Sequence, residues 1–171
     1  VGQLTMVKQA AFQMREYAGR ERAVHAGNIS AGRALSADQQ RDVANWRGQV
    51  QSNWQTIRDL SAGAATALTK AVSAAEQGYF GNFQAQTEAV YKAGAAGSAY
   101  PINVKQWYDA SNPALDSIVR IKDAAVEVTN AHAAAKAASA RLQLILVSLV
   151  TLLGVGVSIA SVWILSRRVI G

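Results

Sequence analysis

Four arginines are the residues whose type and spacing best suit ligand binding. Arg15 and Arg22 lie seven residues apart in the stretch MREYAGRER, which places both on one face of a helix. Arg47 and Arg120 lie on two further predicted helices. A guanidinium group is planar and donates paired hydrogen bonds, which suits it to planar oxyanions. We therefore predict that a small anion binds among Arg22, Arg47 and Arg120, with Arg15 as a fourth candidate.

The heights of these arginines follow from how the helices pair. If the first helix turns near residues 33–36, an antiparallel second helix brings Arg47 level with Arg22. If the chain meets a membrane both at its first residue and at residue 142, the last helix brings Arg120 to the same level, about 30 Å above the membrane. The alternative is that these arginines are surface residues paired with carboxylates, for which the candidates are Glu21, Asp42 and Asp123.

The two histidines, His25 and His132, do not predict a metal site. The same pairing places them about 20 Å apart, which is too far for one ion to bridge within a chain. His132 falls at an inward position, so we expect it in the core or at an interface between two copies of the chain. No nucleophile–base pair, phosphate loop or acidic dyad stands out, and we therefore predict neither enzymatic activity nor a cofactor.

Composition excludes several classes of protein. Half of the 171 residues are hydrophobic, and the many alanines among them favour closely packed helices over a sheet core. The absence of cysteine excludes disulfides and thiolate metal sites. The formal charge of +6 is spread along the chain and interrupted by Asp and Glu, whereas a nucleic-acid-binding face clusters its basic residues. We therefore expect no nucleic-acid partner.

Most of residues 1–141 is predicted to be helical, because apolar residues recur with the helical period and strand-like alternation does not. Ser36, followed three residues later by Gln39, forms a capping box that predicts the start of the second helix. The inward positions of the first helix become polar in its second half; these positions are Glu21, His25 and Asn28.

The rest of this region reads as two further helices. A third helix is predicted over residues 66–93, with its middle weakened by Gly78 and Gly81. The glycine-rich stretch 93–103 predicts a loop, and Asn112–Pro113 predicts a start or a kink of the last helix. Four helices with short connections favour an all-α fold, an up-down-up-down four-helix bundle.

The segment 142–166 carries no charged residue and exceeds the roughly 20 apolar residues that cross a bilayer. We predict a transmembrane helix here, continuous with the last helix of the bundle; the alternative is a buried core helix. Arg167 and Arg168 favour a cytoplasmic location for the residues after this segment, which places residues 1–141 outside. We also expect a second membrane helix upstream of the first residue.

Three stretches resemble known receptor sequences. Residues 9–40 read QAAFQMREYAGRERAVHAGNISAGRALSADQQ and resemble the first helix and turn of the external domains of bacterial methyl-accepting chemotaxis receptors. They are also similar to nitrate- and nitrite-sensing bundles, which carry an Arg-Glu-Arg run like that at residues 20–22. Residues 99–125, AYPINVKQWYDASNPALDSIVRIKDAA, resemble the loop and last helix of the same receptors. Residues 167–171, RRVIG, resemble the opening of a HAMP linker.

The resemblance implies a transmembrane chemoreceptor in a bacterial inner membrane. Residues 1–141 would be a periplasmic sensor domain, 142–166 the membrane helix and 167–171 the start of a cytoplasmic HAMP-like linker. A homodimer would bind a small ligand outside, such as nitrate, nitrite or a carboxylate, and pass the signal by helix displacement to a cytoplasmic signalling module and its kinase. Two alternatives remain: the same sensor on a histidine kinase or cyclic-dinucleotide enzyme, or a ligand-free, membrane-anchored structural bundle.

Overall fold

The computed structural model describes residues 2–170, apart from the side chains of residues 158–162 and 164–170. The described chain is almost entirely helical and contains no strand. It divides into two compact units, residues 1–129 and 130–171. Its helical elements are α1 (Gly2–Ala31), α2 (Ala37–Ser61), α3 (Thr66–Ala75), a π-helical segment (Glu76–Phe83), α4 (Gln84–Ala96) and α5 (Val104–Ile170).

The first unit is the predicted all-α, up-down-up-down four-helix bundle. α3, the π-helical segment and α4 follow one another without a break and together form its third helix. Ion pairs between neighbouring helices give their directions. Glu21 of α1 pairs with Arg47 of α2, while Arg47 and Arg58 pair with Glu88 and Glu76 of the third helix in reverse order. This order requires α2 and the third helix to be antiparallel.

Side-chain caps define where α2 and α5 begin. The hydroxyl of Ser36 accepts the Gln39 backbone N–H at 3.2 Å, and the Gln39 side chain accepts that of Ser36 at 2.9 Å. The predicted capping box is therefore confirmed. Asn103 and Gln106 exchange the same two bonds at 2.9 Å each, so that α5 begins immediately after Asn103.

Of the two interpretations of Asn112–Pro113, a start of the last helix is therefore wrong. Pro113 lies inside α5, which the Asn103 cap starts nine residues before it. The predicted loop is also shorter at its first end, because α4 continues to Ala96 and closes on Gly97 in the left-handed conformation. A left-handed glycine is a common way to end a helix.

The π-helical segment lies where Gly78 and Gly81 weaken the predicted third helix. At its end the N–H of Gln84 bonds to the carbonyl of Tyr79, five residues back. Such a segment fits an extra residue into a helix, and it often marks a functional region. Here it places Tyr79 and Phe83 in the bundle core.

Along α1, the buried positions are apolar in the first half of the helix and mostly polar in the second half. The polar inward positions predicted from the sequence, Glu21, His25 and Asn28, are all buried. Aromatic rings fill the neighbouring layer, where the ring of Trp107 lies 5.6 Å from that of His25 and 5.1 Å from that of Phe83. A buried charge is stable only with partners. The layer that contains Glu21, His25 and Asn28 therefore has polar partners inside the bundle and is the candidate place for a polar site.

In the second unit, every described side chain from Asn130 to Val157 is exposed. Among the described residues, α5 is the one helix whose length and apolar composition would allow it to cross a membrane, and none of its apolar stretch is buried. For residues 142–157 the alternative of a buried core helix is therefore wrong, and so is a core position for His132. The side chains of the predicted linker, residues 167–171, lie outside the described residues.

Gly94 provides a test of packing between α4 and the loops. A Cβ there would lie 2.7 Å from the Tyr100 hydroxyl oxygen and 2.9 Å from Cγ of Leu35, which is too close. We expect Gly94→Ala to lower the free energy of unfolding by about 1–3 kcal/mol. A Cβ at Gly48 on α2 meets nothing, and Gly48→Ala should instead stabilise by up to about 1 kcal/mol. Urea unfolding of the detergent-solubilised chain measures both, and equal effects would contradict the packing.

Candidate functional site

Arg47 of α2 lies between two carboxylates. Its Nε donates to Glu21 at 2.7 Å and its Nη1 donates to Glu88 of α4 at 2.8 Å. Its Nη2 reaches the carbonyl oxygen of Thr87 at 3.5 Å, and its guanidinium carbon lies 4.5 Å from the centre of the Tyr91 ring. Each arm of this guanidinium therefore has a partner within the protein.

Glu21 is the buried member of this network. Its side chain is 4% exposed, and the Nε2 of His25, which is fully buried, lies 3.4 Å from the same carboxylate oxygen that Arg47 contacts. An unpaired buried carboxylate costs several kcal/mol. The packing of α1 against α2 therefore depends on Arg47.

The same network shifts two pKa values. Burial lowers the pKa of Arg47, but the charges of Glu21 and Glu88 and their hydrogen bonds outweigh it, so the pKa is raised. Burial, with a smaller contribution from the charge of Glu21, raises the pKa of the Tyr79 hydroxyl. At neutral pH Arg47 is therefore a cation and Tyr79 is a neutral hydroxyl.

A cleft of about 80 Å³ opens beside Arg47. Glu21 and Glu88 both line it, together with Tyr79 and Thr87. Both carboxylates already bond to Arg47, so an anion would have to compete with them for this guanidinium.

Arg22 of α1 has a different environment, because α5 holds it without a carboxylate. Its Nη1 donates to the side-chain oxygen of Asn112 at 2.7 Å, and its guanidinium carbon lies 5.6 Å from the centre of the Tyr108 ring. The indole N–H of Trp107 donates to the Arg22 carbonyl oxygen at 3.0 Å. The Nε of Arg22 is buried and has no hydrogen-bond partner among the described residues.

The other two candidate arginines lie at the surface. Arg15 is half-buried, donates to Glu16 at 3.1 Å and borders a cleft of about 200 Å³ shared with Val119 and Lys122 of α5. Arg120 is exposed, and within the described part of the chain it has no ion pair. Neither is positioned by a second helix in the way that Arg22 and Arg47 are.

The structure brings Arg22 level with Arg47 but not with Arg120. Glu21, the neighbour of Arg22, contacts Arg47 as the α1–α2 pairing predicts. On α5, however, Arg22 contacts Asn112, which lies about 12 Å of helix rise before Arg120. The predicted α1–α5 register is therefore wrong, since it assumed that the first residue and residue 142 lie at one height.

The alternative interpretation is that the four arginines pair with Glu21, Asp42 or Asp123. One of the four, Arg47, does so. Arg47 pairs with Glu21, whereas Asp123 pairs with Lys122. Anion binding by any of the four remains a prediction. The described residues contain no cluster of three or more His, Asp or Glu side chains that could hold a metal ion.

Sequence reasoning missed Asn112, Tyr108 and Glu88 as neighbours of the arginines. Tyr108 and Asn112 are four residues apart and share a face of α5, a spacing that the sequence shows. One of the two interpretations of Asn112–Pro113, a start of the last helix there, places Tyr108 before that helix.

The bundle followed by a long apolar helix is the architecture of a helical sensor domain with a membrane helix. A comparison with protein-family models supports this class. The family model described as nitrate and nitrite sensing (NIT) matches residues 1–149. The chain belongs to this nitrate- and nitrite-sensing family. Comparisons with curated proteins and with solved structures gave no match.

The Glu21–Arg47 pair can be tested by removing one partner. We expect Arg47→Met to lower the free energy of unfolding by about 3–5 kcal/mol, because Glu21 stays buried without its counter-charge. Arg41→Met is the control, since Arg41 forms only an exposed pair with Asp38 and should cost less than about 1 kcal/mol. Adding Glu21→Gln to Arg47→Met should restore much of the stability. Equal losses at Arg41 and Arg47, measured by urea unfolding, would contradict this account.

Proposed function

We propose that the protein is a membrane-anchored sensor of nitrate, nitrite or a similar small planar anion, and that Arg22 is its main ligand-binding residue. The observation that carries the proposal is the buried Nε of Arg22, an N–H donor without an acceptor in the described structure. A buried donor without a partner costs about 1–3 kcal/mol, and an anion oxygen would relieve that cost.

The charge distribution supports Arg22 over Arg47. Two carboxylates already neutralise Arg47, and an anion there would have to displace one of them. Arg22 contacts a neutral amide and an aromatic ring, so its positive charge is not compensated by a carboxylate among the described residues. The Arg47 network then has a structural role beside the site.

The geometry of a guanidinium supports a planar oxyanion as the ligand. Nε–H and one Nη–H lie side by side on one edge of the group and match two oxygens of nitrate, nitrite or a carboxylate. The guanidinium lies over the Tyr108 ring, which limits the directions from which an anion can approach it. These features agree with the ligand class in the description of the family.

α5 would carry the signal from the anion site to the membrane segment. The partners of Arg22 on this helix are Trp107, Tyr108 and Asn112, and the same helix extends to Ile170 through the segment whose composition suits a membrane. Ligand binding at Arg22 would change the contact between α1 and α5. Small sliding movements of packed helices are an established switching mode.

The sensor domain can belong to more than one type of receptor. We infer a homodimeric chemotaxis receptor of a bacterial inner membrane, with its sensor domain in the periplasm and a HAMP linker beginning at residues 167–171. A histidine kinase or a cyclic-dinucleotide enzyme carrying the same sensor is the alternative. The sequence that follows Gly171 separates them: a long heptad-patterned hairpin with methylation sites indicates chemotaxis, and an ATP-binding domain indicates a kinase.

Anion titration of the detergent-solubilised chain tests the binding. Calorimetry with nitrate, nitrite, chloride and sulfate should show binding of the planar anions, and Arg22→Gln should weaken it at least about tenfold through the loss of charge-assisted hydrogen bonds. Arg20→Gln is the matched control, because Arg20 lies two residues away, is exposed, and rests on Tyr17 of its own helix. Equal binding by wild type and the Arg22 variant would remove Arg22 from the site.

A failure of every anion to bind or to raise the melting temperature would instead favour the ligand-free structural bundle. The titration therefore decides between the two classes of function.

Transmission through α5 has its own test, at small exposed residues beyond the bundle. Ala135→Leu and Ser139→Leu add bulk to this segment, which small side chains would allow to pack closely beside other helices. We expect both variants to bias the output of the full-length receptor without changing anion affinity. Output indistinguishable from wild type in both would contradict a route through this segment.

A further inference from the structure

The side-chain amide of Asn112 has an unusual position for a surface residue. Its oxygen accepts the Nη1–H of Arg22 at 2.7 Å, across the boundary between α5 and α1. A guanidinium has no acceptor, so the oxygen of the amide must face it and the NH₂ must point away. Arg22 thus has one donor filled by Asn112 and one buried donor, Nε, without an acceptor.

We propose that Asn112 is the specificity-determining partner of Arg22: its amide oxygen holds the guanidinium when the site is empty, and its NH₂ donates to the anion when the site is filled. This inference rests on the proposed function. A rotation of the amide about its last side-chain bond exchanges the two roles, together with a shift of the Arg22 side chain that opens the 2.7 Å contact to admit the anion.

An amide is the one short side chain of this shape that can do both. A carboxylate could hold Arg22 equally well, but it has no donor for the ligand and its charge repels an anion. Arg47 shows the result of carboxylate pairing in this same bundle, since Glu21 and Glu88 already occupy its donors. The choice of Asn over Asp at position 112 therefore decides whether Arg22 is available to an anion.

The position of Asn112 also links the ligand to the signalling helix. Tyr108 and Asn112 are one turn apart on α5, and both face Arg22. In the empty state Arg22 is bonded directly to α5, and in the filled state the anion stands between the two. Occupancy thus replaces a direct α1–α5 bond by a bridged one.

The decisive variant is Asn112→Asp, which keeps the shape and adds a charge. We expect its dissociation constant for nitrate, measured by calorimetry of the detergent-solubilised chain, to be at least about tenfold higher than that of wild type. Asn130→Asp is the matched control: it makes the same change on the same face of α5, 18 residues or about 27 Å away, beyond the screening length of physiological salt. Its affinity for nitrate should equal that of wild type.

The empty state is tested without any ligand. If Asn112 contacts Arg22, Asn112→Asp should raise the melting temperature in wild type but not in a background that carries Arg22→Gln. Additive effects in that cycle would overturn the direct contact.

The binding outcomes separate the two proposals. Nitrate binding by wild type together with undiminished binding by the Asn112→Asp variant overturns the role of Asn112 and leaves the sensor proposal standing. No nitrate binding by wild type overturns the sensor proposal, and the ligand role of Asn112 with it.

Discussion

The buried carboxylate of Glu21 is the constraint on which the bundle depends. It lies in the core of α1 and is acceptable there only because Arg47 of α2 pairs with it. Arg47 in turn reaches Glu88 of α4, so a single guanidinium connects three of the four helices at one height. Apolar packing tolerates small shifts of register, whereas a pair of buried charges does not. This network therefore fixes the register of α1, α2 and the third helix at the level of Glu21.

Two arginines in the same layer have different electrostatic environments. Arg47 is neutralised by carboxylates, and Arg22, one residue after Glu21, is held by the neutral amide of Asn112. Arg47 holds α1 against α2 through Glu21, and Arg22 of the same helix contacts α5. The buried ion pair therefore lies beside a guanidinium that no carboxylate neutralises among the described residues.

Local patterns allowed much of the fold to be predicted. The capping box of Ser36 and Gln39 and the buried positions of α1 depend on residues within a few turns, and both are confirmed. Asn112–Pro113 predicts a start or a kink of the last helix, but α5 begins after Asn103 and contains Pro113. A proline restricts its own helix turn, but a reciprocal side-chain cap satisfies the free N–H groups that decide where a helix begins.

The sequence by itself determined that the chain is an all-α bundle followed by a long apolar helix, because helical periodicity, caps and a charge-free segment are local properties. It also singled out the arginines, since guanidinium chemistry belongs to the residue. Only the tertiary structure decided that Arg47 has carboxylate partners on two other helices, and which α5 residues lie opposite Arg22. The carboxylate partners depend on the register of α2 against α1 and the third helix, and the α5 neighbours depend on the register of α1 against α5. Both registers are set by contacts between residues that are far apart in the sequence.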